Sequence, residues 1–312
     1  MSTVAGQSEG PNVVSSGAKT NDNICQQATV ADVAVVEGFG YWSGKDVRVE
    51  FHPAEVDAGF FFVRDDLDIP AQIPATVGHR IETPRRTTLV HEGSQVEMVE
   101  HVLAALSGLG ITNCEIRVNQ SEMPGCDGSS QAFVEVIDRV GIKVQDELQP
   151  RLVVHEPIRV GDDEHWIEAR PSSDGSTSFR YRLDYTKSSA AIGRQTVEFL
   201  ITPDIFRTEL ARCRTFMLEQ EAQWLLAQGL GTRVSPQDVL VFDDEGPKEN
   251  SLLFKDECAR HKVLDMIGDF ALAGCQFVGK VVAHRTGHRL NAEFVRALLK
   301  EEQIEGRYRK AS

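Results

Sequence analysis

His261, Asp265 and Asp269 recur at intervals of four in Arg260-His-Lys-Val-Leu-Asp-Met-Ile-Gly-Asp-Phe-Ala-Leu-Ala-Gly274. At roughly 100° per residue, each sits about 40° round from the last, so all three share one side of a helix. Histidine and aspartate at i, i+4 can hold one metal ion. The same spacing also serves a solvated charge stripe, whose helix pair is worth about 0.2–0.5 kcal/mol. Glu100-His101 lies in a second helical stretch. Adjacent helical residues point about 100° apart, so His101 can bind a metal while Glu100 reaches the water on it. Metalloproteases use a Glu beside a ligand His in this way within H-E-x-x-H, a motif absent here; a surface Glu–His pair is the plainer alternative. Gly287-His288 falls in an expected turn, which suits a catalytic imidazole or an exposed loop histidine. His52, His79, His91, His155, His165 and His284 lack such context and read as surface or strand residues.

With His101, the pair His261 and Asp265 makes three ligands, the number a catalytic zinc takes beside an open water position. Two His and one carboxylate also suit Fe2+. Asp269 favours the charged form of a nearby histidine. Together these residues form a zinc hydrolase set for an amide. Zinc lowers the pKa of water towards ~7 and polarises a carbonyl. Glu100 takes the proton, and His288, steered by Asp269, stabilises the oxyanion and protonates the leaving amine. A bell-shaped pH–rate profile follows, with Glu100 on the acid limb and His288 on the basic limb.

The elements that must position this set alternate in type. Val263, Leu264, Ile267, Phe270 and Ala271 form one apolar stripe, almost opposite the polar line. The spacing predicts a helix over Val99–Gly110, closed by glycine, and a last helix from about Asn291 as N-cap. Short strands are expected at 30–36, 47–51, 60–63, 73–77, 87–90, 114–118, 152–159, 164–169, 178–183, 196–201, 239–242 and 277–283. Asp127 or a following Ser is expected to cap a helix through about Arg139. Gly38-Phe-Gly-Tyr-Trp-Ser-Gly44 is a turn, because its spacing and the strand after it do not fit a dinucleotide loop. Val144–Pro150 reads as a linker. A glycine follows seven residues after both His101 and His261, a weak repeat that points to two similar α+β halves.

Bulk properties set limits. The 312-residue chain is long enough for two modest cores. Its net charge of −14 argues against nucleic acid as a partner. An anionic substrate would need a local basic spot. The 6 cysteines show no CxxC pair. No apolar run reaches the ~18–20 residues of a membrane span, and no signal peptide is evident, so a cytoplasmic protein is expected. Met1 to about Gln27 has the composition of a disordered extension, and 306–312 of a frayed tail.

Val99-Glu-His-Val-Leu-Ala-Ala-Leu-Ser-Gly-Leu-Gly-Ile-Thr-Asn113, Ala211-Arg-Cys-Arg-Thr-Phe216, His261-Lys-Val-Leu-Asp-Met-Ile-Gly-Asp269 and Gly287-His-Arg-Leu-Asn291 resemble, in order and spacing, the UDP-3-O-acyl-N-acetylglucosamine deacetylases of lipid A biosynthesis. The likeness covers about residues 28 to 303. It implies an α+β fold of two similar two-layer α/β sandwich domains, with zinc at their interface. The domains would be 28–148 and 151–305. The resemblance makes His101, His261 and Asp265 the zinc ligands and Glu100 the general base. His288 becomes the general acid or oxyanion partner, with Asp269 behind it. Thr215 would help hold the oxyanion, Lys262 would contact the nucleotide sugar, and Phe216 would lie near the substrate. An insert at about Met217–Gly246 would form an apolar passage for the acyl chain; ordinary helix packing explains its leucines equally. A monomer acting on a UDP-linked acylated N-acetylglucosamine is implied, without a fused dehydratase domain. Alternatives are a non-catalytic zinc or nucleotide-sugar binding relative, and a zinc amidase on another N-acetyl sugar. Trp42, Glu97-Met98, Pro124-Gly-Cys-Asp127 and the missing Asn near Asp238 depart from the family's usual forms and bear on substrate binding.

Overall fold

A computed structural model describes residues 25–301 and 304–305. The expected disordered extension and the tail at 306–312 lie largely outside them. The helices are α1 (Glu100–Gly108), α2 (Gln131–Val140), α3 (Pro203–Ile205), α4 (Glu219–Ala227), α5 (Glu257–Ala271) and α6 (His288–Glu301).

The first half is organised on a five-stranded sheet in the order Ala34–Phe39, Asp46–Pro53, Cys114–Val118, Phe60–Arg64, Ala71–Pro74. Its middle strand runs antiparallel to Asp46–Pro53 and parallel to Phe60–Arg64. The second half repeats this order with Ile158–Gly161, Trp166–Arg170, Gln276–His284, Thr177–Asp184 and Arg194–Leu200. Gln276–His284 again runs antiparallel to the strand on one side and parallel to the strand on the other. In both halves the middle strand arrives after a helix, so two similar α+β layers follow from one connectivity. The weak sequence repeat is thus a repeat of topology.

The strands alternate as half-buried strands must. Val47, Val49 and Phe51 point into the core, where Phe51 meets Phe133 of α2 edge-on at 6.1 Å. In the second half Phe179, Phe270 and Phe294 stack from sheet to α5 to α6, with centroids 5.0 and 5.9 Å apart.

Several boundaries differ from expectation. Val144–Pro150 is not a linker: Ile142–Leu148 is a strand paired antiparallel with Gln26–Val30. This two-stranded ribbon brings residues 26 and 27 into ordered structure, and its polar outer face hid it from apolar patterning. The stretches 30–36 and 152–159 each break into two strands. The last helix begins at His288, three residues before the expected cap at Asn291. α5 also exceeds its apolar stripe: of its residues only Arg260 and Lys262 are not buried. Its polar line is not solvated, because it lies against α1.

Candidate active site

α1 and α5 approach closely because α5 carries a glycine at the crossing. A Cβ on Gly268 would stand 2.0 Å from the Glu100 carbonyl oxygen. The contact sets Glu100 and His101, at the start of α1, opposite His261 and Asp265 of α5. The ligand atoms of His101, His261 and Asp265 all lie within 4.8 Å of one another. Asp265 Oδ1 is 3.3 Å from His261 Nε2 and 3.5 Å from His101 Nε2.

The donor set suits a metal ion. Asp265 Oδ1 is buried with no hydrogen-bond partner. His261 Nδ1–H donates to the Cys213 carbonyl (3.0 Å), which leaves Nε2 as the nitrogen with the free lone pair. Burial pushes the His261 imidazole down to about 3, against the pull of Asp265, so it is neutral as a ligand must be. Burial works against the charge of Asp265, but its close neighbours, the Lys262 ammonium among them, outweigh it and hold the carboxyl well below its usual range. A buried carboxylate oxygen with two imidazole nitrogens around it is the donor pattern of a catalytic metal centre.

Two further groups flank the three. Glu100 Oε2 accepts the Thr87 N–H (2.9 Å). Burial raises the Glu100 carboxyl above its ordinary value, opposed by His288 and His101. His288 Nε2 lies 3.8 Å from Glu100 Oε1, and its Nδ1–H donates to Asp269 Oδ2 (2.9 Å). Burial disfavours the charged imidazole, yet Asp269 and Glu100 outweigh it and raise His288 to about 9. Asp269 is fully buried; its carboxylate also accepts from the Thr87 hydroxyl (2.7 Å) and the Asn291 amide (2.8 Å). Thr87 therefore touches both Glu100 and Asp269.

A cavity of about 430 Å³ opens over these groups. Glu100, His101, Thr215, Phe216, His261, Lys262, Asp265 and His288 line it; Asp269 stands behind His288. Lys262 Nζ is 2.8 Å from Asp265 Oδ2 and 5.6 Å from the Phe216 ring centre. The Phe216 ring lies 6.4 Å from that of His261. The structure thus brings the whole sequence-derived set to one place. His165, read from sequence as having no functional context, is also in the wall, with Tyr185 and Arg285. Thr87 was missed, and Asn291 was read only as a helix cap.

The profile of the family described as LpxC, UDP-3-O-acyl N-acetylglycosamine deacetylase, matches residues 27–300. The chain belongs to this family. The UDP-3-O-acyl-N-acetylglucosamine deacetylase of Brucella ovis is 36% identical over 278 residues, covering 88% of this chain and 96% of the relative. The proteins of that name in Brucella canis and Brucella melitensis biotype 2 match to the same extent.

Against that family background, the turn that carries Trp42 is built with care. Glu122 is 1% exposed, and its carboxylate accepts the N–H groups of Trp42 (2.7 Å) and Ser43 (2.8 Å). The stretch 217–246, where an insert is expected, carries a short parallel strand pair and a helix. Phe216–Leu218 pairs with Leu240–Phe242, and α4 lies between them in sequence. Beside it lies a second cavity of about 250 Å³. Its apolar lining includes Met217, Leu225, Leu226, Leu230 and Val234.

Proposed function

We propose that the chain is a zinc-dependent hydrolase that removes the N-acetyl group of a UDP-3-O-acylated N-acetylglucosamine, an early step of lipid A biosynthesis. The observation that carries this reading is the convergence of His101, His261 and Asp265 with Glu100 and His288, whose side chains lie 3.8 Å apart beside them. In this reading His101, His261 and Asp265 hold the metal, and Fe2+ fits the same donors. Zinc held by these residues would acidify water and polarise the acetyl carbonyl. Glu100, kept buried and aligned by Thr87, removes a proton from the attacking water. A C–O bond forms to the acetyl carbon. The protonated His288 faces the developing oxyanion, with the Thr215 hydroxyl as a further donor. His288 then delivers its proton to the sugar nitrogen as the C–N bond breaks, giving acetate and a free amine. Asp269 holds the imidazole in orientation throughout.

Lys262 supplies the local positive charge that a diphosphate needs on a protein of net charge −14. Phe216 offers an apolar face beside it. The cavity at the insert takes the acyl chain. The repeat supports domains at 28–148 and 151–305, and we assign a monomer working in the cytoplasm; no helix among the described residues is long and apolar enough to cross a membrane.

Purified protein with zinc should release a free amine from the UDP-3-O-acyl substrate, detected by amine derivatisation. His261→Ala should lose more than the roughly 100-fold typical of an outer-shell partner. Normal turnover by that variant would sink the assignment. Zinc and substrate binding without any turnover would point to a binding protein. Equal activity on N-acetyl sugars lacking UDP and acyl groups would point to a broader amidase.

A further inference from the structure

Trp42, Arg86 and Glu97 form one physical unit. The Arg86 guanidinium lies 4.7 Å over the centre of the Trp42 ring, and its Nε donates to Glu97 Oε2 at 2.5 Å. The backbone beneath the indole is fixed too. Glu122 holds the N–H groups of Trp42 and Ser43, and a Cβ at Gly40 would stand 2.3 Å from the Glu122 carboxylate. The neighbouring Tyr41 hydroxyl reaches the Asp238 carbonyl (2.7 Å), which ties this turn to the second half beside the insert. An aromatic ring stacked on a paired cation, on a backbone held at both ends, does not swing aside freely.

Trp42 lines both the catalytic cavity and the apolar cavity at the insert, as do Tyr41, Met217 and Val239. It therefore stands where a ligand spanning the two would pass. We propose that Trp42 is a specificity-determining residue: its braced indole narrows the junction of the two cavities and selects among 3-O-acyl chains by their bulk. This rests on the deacetylase reading and adds to it a residue that sets which substrates are accepted. Arg86 and Glu97 act through Trp42 and are positioning residues.

The experiment compares wild type with Trp42→Ala over substrates whose acyl chains increase in length and branching. Two quantities are read for each chain: kcat/KM for amine release, and the dissociation constant of the deacetylated product carrying that chain. In wild type the preferred chain leads one that is two methylenes longer, or branched, by a fixed ratio. In Trp42→Ala that ratio should shrink about tenfold, since a few methylenes in an apolar pocket are worth that much discrimination. Arg86→Gln, which leaves the indole unbraced, should move the ratio the same way by less. Where Trp42→Ala does not fold, Trp42→Phe and Arg86→Gln carry the same comparison. Identical ratios in wild type and variants would overturn the proposal. Absence of amine release by wild type from every substrate would instead remove the deacetylase reading. The product-binding ratios would then still decide the role of Trp42, supporting it if they shift and overturning it if they do not.

Discussion

His288 sits between two carboxylates, Asp269 at 2.9 Å and Glu100 at 3.8 Å, and burial does not cancel their pull. Its pKa of about 9 means that the imidazolium persists from neutral pH up to that value. A step that uses His288 as an acid is supported below about pH 9 and fades above it. Wild-type kcat/KM should therefore fall above pH 9 by about tenfold per pH unit. His288→Ala should lower kcat by about 10²–10⁴ and abolish this limb. A limb that stays near pH 9 in the variant would show that another group titrates there. At this scale the sequence was legible where spacing is local: His261 and Asp265 are one helical turn apart, and Glu100 and His101 are neighbours. Thr87 was not, since its hydroxyl meets Asp269 across 182 residues of chain. Asn291 was assigned to a helix cap because Asn suits that position. Its amide instead points at Asp269 from within the first turn of α6.

The crossing of α1 and α5 explains a glycine that the repeat had only hinted at. Gly108 and Gly268 each follow a histidine by seven residues, and each marks a close approach. A Cβ on Gly108 would meet the Phe206 ring at 2.4 Å, while one on Gly268 would meet the Glu100 backbone at 2.0 Å. A side chain can shift; a helix backbone that also carries Glu100 cannot do so cheaply. Gly268→Ala should therefore cost at least the roughly 1–3 kcal/mol of an overpacked core, read as a lower unfolding midpoint. It should also lower kcat, because relief of the clash moves Glu100. An unchanged midpoint would mean that the helices are not in contact as described. The apolar stripe of α5 was legible as a 3.6-residue period, but the burial of its polar side was not. Periodicity reports which side is apolar and is silent when a polar side is buried against another polar surface. The ribbon of Gln26–Val30 with Ile142–Leu148 escaped for a related reason: half its residues are exposed, most of them polar, and its pairing spans more than a hundred residues.

The two halves repeat one topology, yet the candidate metal site belongs to neither alone. α1 of the first half supplies His101, and α5 of the second supplies His261 and Asp265. A metal bound there would bridge the halves and would meet Asp265 Oδ1, a buried oxygen with no hydrogen-bond partner. A ligand that binds only the folded state stabilises it by mass action. With free zinc 100-fold above its dissociation constant the gain is about 2.7 kcal/mol. For domains of this size that raises the unfolding midpoint by roughly 5–10 °C. Stripping the metal with a chelator should lower the midpoint by that amount, and adding zinc should restore it. His261→Ala should show a midpoint that no longer responds to chelator or zinc, since one of the three donors is gone. A wild-type midpoint indifferent to chelation, in protein shown to have lost its metal, would mean that the ion adds nothing across the seam. The halves would then be held by the α1–α5 contact and the shared core alone.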